Sequence, residues 1–184
     1  MALKTTPICD SDSYAQDFSL PGVDGKIWSL ENCRGENGTL IMFICNHCPY
    51  VQAIQHLLVR DTLELLGHGV KSVAIMSNNI NSYPTDSPEN MKKVAKKLGF
   101  PFPYLFDETQ EIAQAYGAVC TPDFFGYNAQ LQLQYRGRLD ETTPSKSVPE
   151  SKRELFEAMC MIAKTGKGPD IQVASMGCSI KWRQ

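Results

Sequence analysis

The apolar residues of the chain form two strand-like stretches and one long stretch with helical spacing between them. Thr39 to Cys45 is almost continuously apolar, which is typical of a strand buried on both faces of a sheet. Val70 to Ser77 predicts a second buried strand. Tyr50 to Leu66 predicts the helix, which Gly67 to Gly69 closes. Together they predict a strand–helix–strand unit with a right-handed crossover.

Turn and capping signals divide the rest of the chain. Asp17 to Leu30 has apolar flanks around a Pro-Gly and an Asp-Gly pair, which predicts a hairpin. Ser87 as N-cap and Pro88 at the first helical position predict a helix that ends at Gly99. The other predicted elements are a short strand (Pro103 to Asp107), a short helix (Glu108 to Gly117), a hairpin turning at Asn128 and Ala129 (Asp123 to Leu139) and a last helix (Glu150 to Gly166).

The order of these elements predicts an α/β fold, with a central mixed sheet and helices on both of its faces. A length of 184 residues suits one domain with a full hydrophobic core. We therefore predict a single domain over residues 1–184. It would have an N-terminal β-hairpin extension over 1–38 and a C-terminal tail over 167–184 packed on the domain.

Composition excludes several classes of partner. The net charge of −2 and the pI near 5.9 leave no excess of positive charge for binding nucleic acid or an anionic membrane. The longest apolar run is far too short to span a bilayer. The first twenty residues lack a basic region followed by an apolar one, so we expect no signal peptide and a cytoplasmic location.

The chain has seven cysteines, an odd number that cannot pair completely within one chain. Structural disulfides are rare in the cytoplasm. Most of these cysteines are therefore predicted to be small buried apolar residues, among them Cys9, Cys33 and Cys160, and one or two to be reactive.

The stretch FICNHCPYV places Cys45 at the end of a buried strand and Cys48 at the start of the following helix. The N-terminal end of a helix stabilises a thiolate through its free N–H groups and its dipole. Pro49 suits the first turn because that position needs no N–H donor. Active groups in open α/β sheets gather beyond the carboxyl ends of the strands, which is where this pair lies.

Two intervening residues let the two sulfurs close a small disulfide ring, as thiol–disulfide exchange requires. We expect Cys45 to be the exposed nucleophile and Cys48 the resolving thiol. A protonated His47 would lower the pKa of Cys45 below the value of about 8.5 for a free cysteine. Because this stabilises the reduced form, we predict a couple more oxidising than the thioredoxin value of about −270 mV.

Two other interpretations of the pair are weaker. Burial of two core cysteines does not require this spacing. A structural zinc site needs four ligands, whereas one C-x-x-C supplies two, and His56, His68 and the other cysteines do not form a compact partner motif. Redox chemistry is therefore favoured, with no metal and no organic cofactor.

Several motifs together resemble the thioredoxin superfamily, and specifically its peroxiredoxin-like branch of alkyl hydroperoxide reductase and thiol-specific antioxidant proteins. They are FSLPGVDGKIWSL, FICNHCPYV, NNINSYPTDSPENM, FPYLFDETQEIAQAYGAVCTPDFF, YRGRLD and GCSIKW. The resemblance implies a thioredoxin-like fold. It also implies a loop with a cis-proline, here Thr121-Pro122, that faces the cysteines and binds the backbone of the partner. Asn46, beside Cys45, would help to shape that groove.

The sequence departs from the peroxidatic pattern P-x-x-x-T-x-x-C of typical peroxiredoxins. Counting back from Cys48, Cys45 stands at the threonine position and Ile41 at the proline position. Counting back from Cys45, the same positions hold Met42 and Gly38. Thiol peroxidase activity is therefore the alternative rather than the first prediction, and no pattern ties Arg136 or Arg138 to the site.

We therefore predict that the protein is a thiol-disulfide oxidoreductase that works through a Cys45–Cys48 dithiol/disulfide couple. A non-catalytic or metal-loaded binding protein is a third interpretation, less favoured than the peroxidase. The expected partners are protein or small-molecule disulfides and thiols, with electrons from an external thiol reductant. Cys120, two residues before Pro122, and Cys178 in the tail are possible additional thiols, although simple packing roles are favoured for both.

Overall fold

The computed structural model describes residues 2–146 and 151–183. Its strands are β1 (Leu3–Thr5), β2 (Ser19–Pro21), β3 (Ile27–Ser29), β4 (Gly38–Phe43), β5 (Val70–Met76), β6 (Tyr104–Phe106), β7 (Cys120–Thr121), β8 (Asp123–Asn128), β9 (Leu133–Tyr135) and β10 (Met176–Ser179). Its helices are α1 (Leu30–Cys33), α2 (Pro49–Leu66), α3 (Pro88–Leu98), α4 (Glu111–Ala115) and α5 (Glu154–Thr165), and a 3-10 turn covers Pro84–Asp86.

The central sheet has five strands in the order β6-β5-β4-β8-β9. β4, β5 and β6 are parallel, whereas β8 and β9 run antiparallel to their neighbours. β4 lies in the middle, and all six of its residues are buried, as its continuous apolar run predicts. The predicted mixed α/β sheet is therefore confirmed.

Alternate side chains of β4 enter two separate cores, because successive residues of a strand point to opposite faces. Leu40 and Met42 pack with residues of α2, α3 and α5, while Ile41 and Phe43 pack with residues of α1 and α4. Helices thus cover both faces of the sheet, and the carboxyl end of β4 lies between the two helical layers.

Local signals set most element boundaries. The Ser87 side chain accepts a hydrogen bond from the Asn90 N–H at the start of α3, and Gly99 ends that helix with a φ of 66°. α4 is shorter than predicted and starts at Glu111, because Gln110 adopts a φ of 66° that is incompatible with a helix. The predicted start of the last helix, Glu150, lies outside the described residues, and the described helix begins at Glu154.

The tail returns to the domain as a strand, a detail that the sequence interpretation did not include. β10 lies between β1 and β7 in a second, three-stranded antiparallel sheet. Cys178 stands opposite Leu3 on one side and opposite Thr121 on the other. The tail therefore packs directly against the loop that contains Pro122. Within the described residues, no helix has the length and apolar character needed to cross a membrane.

Candidate functional site

Cys45 and Cys48 lie in the turn that joins β4 to α2. The Ile44 N–H still donates to the Ile75 carbonyl (3.1 Å), so the chain leaves the sheet only at Cys45. Cys48 is the N-cap of the 18-residue helix α2, and Pro49 occupies its first position. The proline fits because the first turn of a helix has N–H groups without intrahelical partners. The predicted strand-to-helix placement of the pair is thus what the structure shows.

Both thiols are buried. Cys45 is 1% exposed and Cys48 is fully buried, so the expectation of an exposed Cys45 is wrong. The cause is the loop that contains Thr121, whose hydroxyl lies 3.3 Å from Cys45 Sγ. Strand β10 pairs with β7 in this loop, so β10 packs on the outside of the segment that covers Cys45.

The loop that faces the pair contains a cis peptide bond between Thr121 and Pro122, as the resemblance implied. Besides the contact of its hydroxyl with Cys45, Thr121 places its carbonyl oxygen 3.0 Å from Cys48 Sγ, and the Cys48 thiol donates to this oxygen when it is protonated. One residue of the loop thus touches both sulfurs. The expected proximity of Thr121 and Pro122 to the cysteine pair is therefore met.

Asp86 organises the turn from a distant part of the sequence. One of its carboxylate oxygens accepts from the backbone N–H groups of Asn46 (2.8 Å) and His47 (3.2 Å). The other accepts from His47 Nδ1 (2.6 Å) and from Asn78 Nδ2 (2.9 Å). Burial opposes ionisation of Asp86, but the hydrogen bonds from His47 and Asn78 outweigh it and lower the pKa below its usual value. Asp86 is thus a buried carboxylate that receives four donors.

His47 directs its proton away from the cysteines. Its Nδ1 lies 2.6 Å from Asp86 but 3.7 Å from Cys45 Sγ, and since a carboxylate can only accept, Nδ1–H donates to Asp86. The ring also stacks on Tyr83, with centroids 4.8 Å apart. His47 is therefore next to Cys45, as predicted, but its hydrogen bond supports Asp86.

The two thiols share a hydrogen bond that separates their pKa values. The bond to Cys48, burial and the negative charge of Asp86 raise the pKa of Cys45. Donation from Cys45 lowers the pKa of Cys48 to about 4, against burial, with further help from Cys178 and from the Val51 N–H. The two directions favour the thiolate on Cys48, which is opposite to the expected lowering of the Cys45 pKa by His47. The Val51 N–H, in the first turn of α2, is the contribution of the helix end to this stabilisation.

Asn46 holds the turn rather than facing the sulfurs. Its side-chain amide donates to the Thr85 carbonyl (2.9 Å), and its side-chain oxygen accepts from the Tyr104 hydroxyl (3.2 Å). Its backbone carbonyl accepts from Gln52 Nε2 (2.8 Å). These contacts fix the backbone between the two cysteines, so Asn46 shapes the turn from within.

Sequence reasoning missed Asp86, Asn78 and Tyr83. They lie in the loop that follows β5, the parallel neighbour of β4. The carboxyl ends of parallel neighbours meet at one edge of a sheet, so polar residues after β5 were the available signal. Asp86 carried an additional signal, because it directly precedes the predicted N-cap Ser87 and so lies beside the start of a helix near that edge.

The two additional thiols occupy different positions around the pair. Cys178 lies close to Cys48 in the same buried cluster, and burial together with its interaction with Cys48 raises its pKa to about 11. Cys120 Sγ donates instead to the Pro122 carbonyl over 3.5 Å, and burial raises its pKa. Both side chains are buried, but of these two thiols Cys178 is the one that interacts with Cys48.

The two candidate arginines are engaged away from the cysteines. Arg136 binds the buried Asp123 carboxylate (3.0 Å) and the Gly117 carbonyl (2.7 Å). Arg138 binds Glu154 over 2.6 Å. In the part of the chain that the structure describes, neither guanidinium is hydrogen-bonded to Cys45 or Cys48.

Cys45, His47 and Asp86 form the one three-ligand group found among the described residues that could hold a metal ion, with donor atoms all within 4.8 Å of one another. Sulfur, imidazole and carboxylate ligands together suit zinc. The Asp86 carboxylate already accepts four hydrogen bonds, and these donors would compete with a metal ion for the carboxylate oxygens.

A groove of about 170 Å³ lies beside the proline loop. Pro122, Tyr50, Ile54, Leu139 and Met176 line it. The larger cavity of about 740 Å³ is lined by other residues, including Ile8 and Ile171, and by neither Cys45 nor Cys48. The cysteine pair therefore adjoins a small, mainly apolar groove through Pro122.

The fold is shared with proteins of known structure. An uncharacterized conserved protein from Geobacillus kaustophilus is 45% identical, with a TM-score of 0.94 over 100% of this chain and 97% of that one. A hypothetical protein from Sinorhizobium meliloti is 35% identical, with a TM-score of 0.92 over 97% of each chain. A thiol:disulfide interchange protein of the thioredoxin family from Chlorobium tepidum shares the fold, at 20% identity and a TM-score of 0.63 over 83% of this chain and 97% of that one.

No curated protein is similar to the chain at a significant level. The model of the AhpC/TSA family matches residues 12–141, which is more than half of the chain. The match and the thioredoxin-like architecture agree with the peroxiredoxin-like resemblance of the sequence motifs. The chain therefore belongs to the AhpC/TSA family, within the thioredoxin superfamily.

Proposed function

We propose that the protein is a thiol-disulfide oxidoreductase that works through the Cys45–Cys48 couple. The observation that carries the proposal is the mutual contact of the two thiols beneath Thr121, which touches both sulfurs. Family membership and the thioredoxin-like fold support redox chemistry of this kind.

The reaction begins with a proton transfer inside the pair. The Cys45 proton moves to Cys48 along their hydrogen bond, and the Thr121 hydroxyl can then donate to the Cys45 thiolate. Cys45 attacks one sulfur of a disulfide substrate, which releases the other sulfur as a thiol that takes the proton from Cys48. The Cys48 thiolate then attacks Cys45 Sγ and releases the second substrate sulfur as a thiolate. The substrate gains two electrons and the protein retains a Cys45–Cys48 disulfide.

The partners in this scheme are a protein or small-molecule disulfide and an external thiol reductant that reopens the pair. The groove beside Pro122 would accept an apolar segment of a protein partner. Because both sulfurs are buried, we expect reaction to require local opening of the loop over Cys45. We also propose a cytoplasmic location, because thiol reductants of this kind are present in the cytoplasm.

A thiol count with disulfide mapping tests the proposal. Treatment of the reduced protein with glutathione disulfide should remove two thiols, with a Cys45–Cys48 linkage as the first disulfide to form. Cys45→Ser and Cys48→Ser should each abolish turnover of a disulfide substrate with a thiol reductant. Cys33→Ser is the matched control, since Cys33 is also buried but lies in the core on the other face of the sheet. Retention of both thiols in the wild-type protein under these conditions would refute the proposal.

Membership of the AhpC/TSA family keeps thiol peroxidase activity as the second candidate. A peroxidase would consume hydroperoxide at a rate that survives Cys48→Ser but not Cys45→Ser. The engagement of Arg136 with Asp123 argues against it, because that guanidinium is then not available to orient a peroxide. Rapid peroxide consumption by Cys48→Ser would reverse the order of the two candidates.

A further inference from the structure

Cys48 contacts a second thiol besides Cys45. Cys178 lies opposite Thr121 in the pairing of β10 with β7, and Cys48 Sγ lies 3.0 Å from the carbonyl oxygen of the same Thr121. Cys178 and Cys48 also belong to the same buried cluster, and each thiol shifts the pKa of the other. A disulfide between them requires their Cβ atoms to lie within about 4 Å of each other. Cys48 is thus positioned between two possible disulfide partners.

The backbone holds Cys178 in this position. A Cβ on Gly177 would overlap the carbonyl oxygen of Thr121 and lie 3.1 Å from Pro122 Cδ, so only glycine lets β10 approach the loop this closely. On either side of Cys178, the Ser175 hydroxyl donates to the Pro122 carbonyl (2.8 Å) and the Ser179 N–H to the Ala2 carbonyl (2.9 Å). These contacts therefore hold the backbone around Cys178 against the loop that contains Thr121 and Pro122.

We propose that Cys178 is a third redox thiol, which takes over the disulfide by forming a Cys48–Cys178 bond. This inference rests on the proposed function, which supplies the Cys45–Cys48 disulfide. The Cys178 thiolate attacks Cys48 Sγ, the Cys45–Cys48 bond breaks, and its electron pair leaves on Cys45. Cys45 takes up the proton that Cys178 gave up. No net oxidation occurs, and Cys45 regains a free thiol while the protein stays oxidised.

Cys120 provides an internal comparison for this assignment. It is also buried, and it stands one residue before Thr121 and opposite Ser179 in the same small sheet. Its thiol donates to the Pro122 carbonyl, whereas that of Cys178 interacts with Cys48. A thiol that only packs would behave like Cys120, so the two cysteines make a matched pair of test positions.

The experiment uses full-length Cys45→Ser protein, in which Cys48 has lost its nearer partner. Glutathione disulfide adds glutathione to Cys48, and Cys178 should then displace it to give a Cys48–Cys178 disulfide. In Cys45→Ser/Cys178→Ser the adduct should persist, at a level about tenfold or more above that of the single variant. Cys45→Ser/Cys120→Ser should behave like the single variant. Intact mass and disulfide mapping after an acid quench separate the species.

An adduct that persists equally with and without Cys178 would overturn the inference, as would a disulfide that maps to Cys120. Wild-type protein in the same assay separates this failure from a failure of the proposed function. If the wild-type protein forms the Cys45–Cys48 disulfide while the Cys45→Ser variant keeps its glutathione adduct, the role of Cys178 is refuted and the proposed function is not. Circular dichroism of each variant checks that the fold is retained.

Discussion

The carboxylate of Asp86 lies 2.6 Å from the imidazole Nδ1 of His47, and its other oxygen accepts from the backbone of the same turn. His47, one of the two residues between the cysteines, is thus held by Asp86, which lies 39 positions further along the chain. The shape of the Cys45–Cys48 turn depends on this tertiary contact as well as on the local motif.

Asp86→Asn is expected to destabilise the reduced protein. Asparagine offers one acceptor oxygen, whereas Asp86 accepts from four donors that include His47 and Asn78. Donors left buried without a partner cost about 1–3 kcal/mol of the free energy of unfolding. Urea unfolding should show this loss, while Glu36→Gln, at an exposed carboxylate, should change the free energy by less than about 0.5 kcal/mol. Equal stability of the two variants would contradict the assigned role of Asp86.

The stability that Asp86 contributes should depend on pH in a defined direction. Its pKa in the folded protein is below the unfolded value of about 3.9, so its contribution is fully present above that value. The contribution is lost as the pH falls below about 4 and through the folded-state pKa. The difference in unfolding free energy between wild type and Asp86→Asn should therefore shrink as the pH falls below about 4. A difference that grew in acid would have the wrong sign.

The thiolate of the reduced pair is expected on Cys48. Hydrogen bonds to its sulfur lower the pKa to about 4, whereas the pKa of Cys45 is raised. Ultraviolet titration should show one thiolate already formed at neutral pH, and Cys48→Ser should remove it. Cys33→Ser should leave it unchanged, because burial raises the pKa of Cys33 to about 12. Persistence of the low-pKa thiolate in Cys48→Ser would instead place it on Cys45.

Much of the fold was predictable because its signals are local. The unbroken apolar run into Ile44 indicates a central strand, and Ser87 and Gly99 set the bounds of α3 through backbone geometry that those residues favour. The start of α4 was not predictable in this way. The left-handed conformation of Gln110 accompanies donation from its side chain to the Ser77 and Lys181 carbonyls, which are distant in sequence.

The site was predictable to the extent that one motif contains it. Cys45 and Cys48 follow from their spacing, and Thr121-Pro122 follows from the family resemblance. The burial of Cys45 could not be predicted, because it depends on where the Thr121 loop and β10 pack. The same is true of the proton on His47, whose direction is set by Asp86 in another loop.

The Cys45–Cys48 couple is expected to be more oxidising than about −270 mV, the value typical of thioredoxin. A stabilised thiolate favours the dithiol form, and here the stabilised group is Cys48. Equilibration with glutathione buffers, followed by alkylation and mass measurement, gives the potential. Cys33→Ser should have the wild-type potential. A value at or below the thioredoxin one would show that the donors around Cys48 do not favour the reduced state.

Gly177→Ala is expected to loosen the tail from the proline loop. The new methyl group would lie 2.6 Å from the carbonyl carbon of Thr121, and since backbone cannot yield like a flexible side chain, β10 must shift. We expect a loss of roughly 1–3 kcal/mol in the free energy of unfolding and a lower yield of the Cys48–Cys178 disulfide. Gly67→Ala is the control, because Gly67 has a helical φ of −65° and its Cβ would come no closer than 3.3 Å to its neighbours. That variant should be unchanged or more stable by up to about 1 kcal/mol. If Gly177→Ala kept wild-type stability and disulfide yield, close packing of β10 would not be what positions Cys178.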